Sequence, residues 1–83
     1  MPTYEVLPEF WRDWARLTDS QRQGFQASFR TGLRVKGVRG APGVFELTWA
    51  ADGRATFSYG PAAAGEPHLI WRRIGTHEIL RTP

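Results

Sequence analysis

The residues able to do chemistry are unevenly placed along the chain. Residues 34–83 hold seven bases (Arg34, Lys36, Arg39, Arg54, Arg72, Arg73 and Arg81) against four acids (Glu46, Asp52, Glu66 and Glu78). Residues 1–33 balance four arginines (Arg12, Arg16, Arg22 and Arg30) with four acids (Glu5, Glu9, Asp13 and Asp19), so the net charge of +3 sits in the second half. All but one of the eleven bases are arginine, whose planar fork binds phosphate and stacks on rings. Such a surface suits an acidic partner, nucleic acid first; taken singly, each arginine is explained equally well by a GC-rich genome. Two histidines, His68 and His77, are the groups that ordinarily titrate near neutral pH. Cysteine is absent, which excludes disulfides, thiolate zinc sites and cysteine nucleophiles and weakly favours a reducing compartment.

The elements that must position these residues follow from hydrophobic period. Tyr4 to Leu7 reads as a short strand, and Pro8 suits the first turn of a helix because its missing N–H is not needed there. Phe10, Trp11, Trp14 and Leu17 form one apolar stripe at helical spacing, with Arg12, Asp13 and Arg16 off it. Thr18-Asp19-Ser20-Gln21 fits a capping box that opens a second helix, whose face carries Phe25, Phe29 and Leu33. Two helices with almost no loop between them predict an αα-hairpin.

The period then changes to two. Leu33 and Val35 alternate with Arg34 and Lys36, Gly40-Ala41-Pro42-Gly43 is a turn, and strands follow at Val44–Trp49 and Arg54–Tyr59. One face of that pair holds Phe45, Leu47, Trp49, Ala55, Phe57 and Tyr59, and the helices are expected to cover it. The other holds Glu46, Thr48, Arg54, Thr56 and Ser58, expected to be open to a ligand. A two-residue turn at Asp52-Gly53 would mix the faces. A three-residue loop, Ala51-Asp52-Gly53, keeps them apart and pairs Leu47 with Phe57 and Phe45 with Tyr59. After a connection over 60–67, the apolar start of His68–Ile74 predicts a central strand.

The whole is expected to be a single α+β domain over 1–83: an N-terminal strand and a helical hairpin packed on an antiparallel sheet of three to four strands. A chain of 83 residues has room for one modest core, and four Trp, five Phe and two Tyr help to fill it. No segment reaches the roughly 18 apolar residues of a membrane span, and no basic stretch with an apolar run opens the chain. A soluble, cytoplasmic protein is expected.

Taken in order, the helical pair Phe10–Leu33, the basic run Leu33-Arg34-Val35-Lys36-Gly37-Val38-Arg39-Gly40, the strand Val44-Phe45-Glu46-Leu47, Arg54 after the hairpin, and the ending Ile74-Gly75-Thr76-His77-Glu78-Ile79-Leu80 resemble the RelE/ParE superfamily of toxins from bacterial type II toxin–antitoxin systems. The resemblance covers nearly the whole chain and is carried by order and spacing together. Its RelE branch implies a metal-independent endoribonuclease, an mRNA interferase that cuts messenger RNA in the ribosomal A site, with no cofactor. The attack of a 2′-OH on the neighbouring phosphate needs a base, cations for the developing charge, and an acid for the departing 5′-oxygen.

Carried over by position, the resemblance makes Arg54 the stabiliser of the phosphate and His77 an acid or base; Glu46, on the same face, is a candidate base but reads first as a cross-strand partner for an arginine. Arg34, Lys36, Arg39 and Arg73 would bind RNA phosphates. It implies a cognate antitoxin docking on the apolar rim of the helical pair around Trp11, Trp14 and Phe25, and the ribosome and mRNA as targets. Two departures are plain: the strand with Glu46 and Thr48 lacks the lysines that relatives often carry there, and no tyrosine follows Tyr59. The ParE branch, which poisons DNA gyrase, and a non-catalytic antitoxin-binding relative therefore stand as alternatives.

Overall fold

The structure, a computed structural model, describes residues 3–28, 34–61 and 68–83. Phe29 and Leu33 of the expected helical stripe, and most of the 60–67 connection, lie outside them. The element order is β1 (Thr3–Val6), α1 (Pro8–Arg16), α2 (Asp19–Ser28), β2 (Arg34–Gly37), β3 (Val44–Thr48), β4 (Gly53–Gly60), β5 (His68–Thr76) and a 3₁₀ helix (His77–Arg81).

The helical hairpin forms as its local signals dictate. Pro8 and Glu9 occupy the first turn of α1 and Arg16 its last, each sign matched to the helix dipole. The capping box is made in both directions: the Thr18 N–H donates to Gln21 Oε1 (2.8 Å) and the Gln21 N–H to Thr18 Oγ1 (3.1 Å). Arg22, one turn into α2, reaches back to the end of α1. Its Nε donates to the Trp14 carbonyl (3.1 Å) and its Nη2 to the Ala15 carbonyl (3.3 Å). One side chain thus bonds two of the last carbonyls of α1, that of Trp14 also accepting the Leu17 N–H (3.1 Å), and this holds the tight turn between the helices.

The sheet has five strands in the order β1-β5-β4-β3-β2, not three or four, and it is mixed. The N-terminal strand joins it by pairing parallel to β5, from Thr3 opposite His68 to Val6 opposite Trp71; the remaining pairs are antiparallel. β5 is an interior strand, flanked by β1 and β4, although its apolar start is only half-buried.

The β3–β4 register differs from expectation by two residues. Phe45 faces Phe57 and Leu47 faces Ala55. The loop is three residues long, but it is Ala50-Ala51-Asp52, closed by the Trp49 N–H donating to the Gly53 carbonyl (3.1 Å). The reason is steric. A Cβ at Gly53 would lie 2.6 Å from Trp49 Cδ2 and Cε2, so glycine here admits the Trp49 indole against the backbone and does not serve a left-handed turn. A shift of two keeps every side chain on its expected face.

The core is Phe10, Phe25, Leu47, Ala55, Phe57 and Ile74, with Val6, Trp14, Leu17, Phe45, Trp49, Leu69 and Trp71 against it. Trp71 and Ile74 are three apart, which in a regular strand would point them to opposite faces. A bulge resolves this: Thr56 pairs with Arg73 and Phe57 with Trp71, so Arg72 is the extra residue, and such an insertion resets the alternation. Tyr59, expected under the helices, is 57% exposed and packs edge-on against Phe45 and Phe57.

Candidate nucleic-acid interface

The β2–β3 ladder sets the basic residues in place. Arg34 lies opposite Thr48 and Lys36 opposite Glu46, while β3–β4 pairing puts Arg54 opposite Thr48. Arg34, Lys36 and Arg54 therefore converge on one end of the sheet. There they line a groove of about 750 Å³ between the end of α2 (Gly24, Ala27, Ser28) and the β3–β4 loop. Arg39 stands apart, exposed in the turn at the far end of the β2–β3 hairpin.

The polar face is not open along its length. Glu46 is 5% exposed and Thr56 fully buried. Glu46 Oε1 lies 3.7 Å from both Lys36 Nζ and Arg54 Nε, which compensates a carboxylate withdrawn from water. Thr56 donates to the Pro83 carbonyl (3.2 Å), which also accepts from Arg72 Nε (3.1 Å). The C-terminal segment thus lies across the middle of the face, and the groove at its end remains accessible.

Arg54 is held by its own loop. Its Nη1 donates to the Gly53 carbonyl at 3.0 Å and lies 3.3 and 3.5 Å from those of Ala50 and Ala51. The guanidinium therefore braces the turn and at the same time presents charge to the groove. His77, at the start of the 3₁₀ helix, bonds through Nδ1 to Asp52 Oδ1. That hydrogen bond holds the Asp52 carboxyl below its ordinary value, with a weaker contribution from the Arg54 charge.

Arg73 faces elsewhere. Its Nε and Nη2 donate to Asp13 Oδ2 (2.6 Å) and Oδ1 (3.1 Å), and its Nη1 to Thr82. The Asp13 carboxylate raises the guanidinium above its ordinary value, burial opposing. Asp13 also accepts the Ile74 N–H (3.2 Å). Asp13 lies among the polar residues off the helix stripe, yet it is 8% exposed. Asp52 likewise reads from sequence only as a turn residue. Periodicity marks neither, because each finds its partner 60 and 25 residues away.

On the opposite side, Val6, Phe10, Trp11, Trp14, Phe25 and Trp71 belong to the lining of an apolar groove of about 370 Å³. Trp11 and Tyr4 are its most exposed apolar members. Among the described residues no cluster of His, Cys, Asp or Glu could hold a metal ion, and no helix is long and apolar enough to cross a membrane.

No protein-family model matches the sequence, and no curated protein matches it. Solved structures do. The RelB–RelE antitoxin–toxin complex from Methanococcus jannaschii contains a chain 11% identical, with TM-score 0.68 over 94% of this chain and 98% of that one. The YoeB/ParE toxin from Agrobacterium tumefaciens is 16% identical, with TM-score 0.69 over 90% and 98%. The DinJ–YafQ complex from Escherichia coli gives 15%, 0.62, 96% and 98%. At these identities the likeness is one of architecture, and it runs nearly end to end: the chain has the RelE-like toxin fold.

Proposed function

We propose that the chain is the toxin component of a type II toxin–antitoxin system and a metal-independent endoribonuclease that cuts mRNA on the ribosome. The observation that carries this reading is the groove on which Arg34, Lys36 and Arg54 converge. Three cations on one rim suit a phosphate backbone. In the reaction the 2′-oxygen bonds to phosphorus and the P–O5′ bond breaks. A base takes the 2′-OH proton, for which Glu46 is the candidate, and His77 gives a proton to the 5′-oxygen. Arg54 stabilises the charge that develops on phosphate. The cognate antitoxin would cover part of the apolar groove beside Trp11, Trp14 and Phe25, by analogy with the RelB–RelE and DinJ–YafQ complexes.

A second reading is favoured by one observation: Arg54, Glu46 and Arg73 are all engaged by partners within the chain. That arrangement also suits a ParE-type gyrase poison or a non-catalytic antitoxin-binding relative. Expression followed by primer extension on translated mRNA separates the three. A-site cuts that vanish in Arg54→Ala and His77→Ala support the ribonuclease. Double-strand DNA breaks without mRNA cuts support the gyrase poison, and no growth inhibition supports the binding relative.

A further inference from the structure

We infer that Asp52 is a positioning residue that fixes the tautomer and orientation of His77, an inference that rests on the ribonuclease reading of this site. The pairing is built into the sheet. Gly53 lies opposite Thr76 at the last rung of the β4–β5 ladder. The residue before Gly53 and the residue after Thr76, Asp52 and His77, therefore leave the ladder side by side. Both backbones are held at that point. The Trp49 indole rests on Gly53 and closes the loop from one side. Thr76 caps the 3₁₀ helix by accepting the Glu78 N–H (3.3 Å) on the other.

The chemistry follows from the donor inventory. An ionised carboxylate only accepts hydrogen bonds, so the His77 nitrogen facing Asp52, Nδ1, must carry the hydrogen. Asp52 is kept ionised by that same bond. The other ring nitrogen, Nε2, has no hydrogen-bond partner among the described residues, and the His77 side chain is 65% exposed. Nε2 is thus the atom left for proton transfer. When the imidazolium gives its Nε2 proton to the departing 5′-oxygen, the product is the neutral Nδ1–H tautomer that Asp52 already holds, and Nε2 is reprotonated from solvent. Without Asp52 the ring is free to rotate and to place the hydrogen on either nitrogen. Both side chains lie at the surface, so substitution there leaves the core intact.

The test combines a spectrum with a cycle. Imidazole ¹⁵N shifts of the protein, with the ring neutral, are expected to show His77 with hydrogen on Nδ1, and Asp52→Ala to move the population toward Nε2–H. In ribosome-programmed cleavage, Asp52→Ala should slow kcat about two- to fivefold, the size expected of an exposed pair, with KM unchanged. Asp52→Asn, which keeps an accepting oxygen, should recover part of the loss. The double variant Asp52→Ala/His77→Ala should be no slower than His77→Ala alone, because Asp52 acts only through His77. Multiplicative losses in the double variant, or an Nε2–H tautomer in the unsubstituted protein, would overturn the inference. Absence of cleavage by the unsubstituted protein overturns the ribonuclease reading instead, while the ¹⁵N spectrum still decides the pairing.

Discussion

Replacing Asp13 by alanine is expected to be among the most damaging single changes in the chain, although the residue stands on a helix whose stripe it does not share. Three hydrogen bonds end on its carboxylate: two from Arg73 (2.6 and 3.1 Å) and one from the Ile74 N–H (3.2 Å). β1 pairs with β5 only as far as Trp71, so Asp13 serves as the substitute strand for the free edge beyond it. Alanine leaves that N–H, on a residue 1% exposed, without its acceptor, at a cost of about 1–2 kcal/mol. Loss of the bidentate ion pair adds about 1–2 kcal/mol. That sum lies well below the figure for a fully buried pair, because a quarter of the Arg73 side chain is in water. The total is about 3 kcal/mol, a drop of about 12–24 °C in Tm for a domain of this size. Asp13→Asn keeps an acceptor for Ile74 and should cost about half as much. Urea titration followed by tryptophan fluorescence gives both numbers. A loss under about 1 kcal/mol for Asp13→Ala would refute the strand-substitute argument.

Gly53→Val should destabilise by about 2–3 kcal/mol, because the new side chain must displace the Trp49 ring; unchanged thermal unfolding would mean the loop yields freely. His77→Ala should move acid unfolding to higher pH. The Asp52 carboxyl is depressed below its ordinary 3.8 by His77, so the contribution of the pair is present above about pH 4 and is lost as pH falls through the lower folded value. Circular dichroism against pH reads this, and the two proteins should converge at the acid end. Arg54→Leu should cost about 2 kcal/mol by stripping Glu46 of a cation and the loop carbonyls of a donor. Adding Glu46→Gln should restore part of it, and a double variant less stable than Arg54→Leu would contradict that coupling.

Much of this fold can be read in the order of residue types. Pro8, the Thr18–Gln21 box and the switch from helical spacing to alternation mark the helices and strands, and alternation assigns the faces of β3 and β4. What escaped is what depends on shape or on distant partners. A shift of two residues between strands leaves the pattern of faces unchanged, so only the fit of Trp49 on Gly53 decides it. The fifth strand was visible as Tyr4–Leu7, but its parallel pairing with β5 joins residues that no local rule connects. The bulge at Arg72 hides in a run that reads as uninterrupted strand. For the candidate site, the groove cations Arg34, Lys36 and Arg54 were legible from charge and alternation. Burial of Thr56 is not, because it comes from the C-terminal segment folding back so that Pro83 accepts its hydroxyl; Glu46 is buried beside Lys36 and Arg54 of the neighbouring strands.

The pairing of the first strand with the last also governs when the protein can exist. Thr3 meets His68 across 65 residues and Asp13 meets Arg73 across 60, so neither end of the ladder has a partner until β5 has been synthesised. Non-local closure of this kind slows folding. Chains grow at about 5–20 residues per second, so α1 and β1 wait several seconds with Phe10 and Trp14 uncovered. Trp71 and Ile74, which complete the core, arrive only with β5. A chain arrested before β5 therefore lacks the Asp13–Arg73 clamp and the core contacts of Trp71 and Ile74. Limited proteolysis of nascent chains arrested before His68 and after Thr76 should show protection only in the longer one. The RelE-like fold is thus closed by its last strand: only with β5 present do β1, α1 and the core residues Trp71 and Ile74 come together.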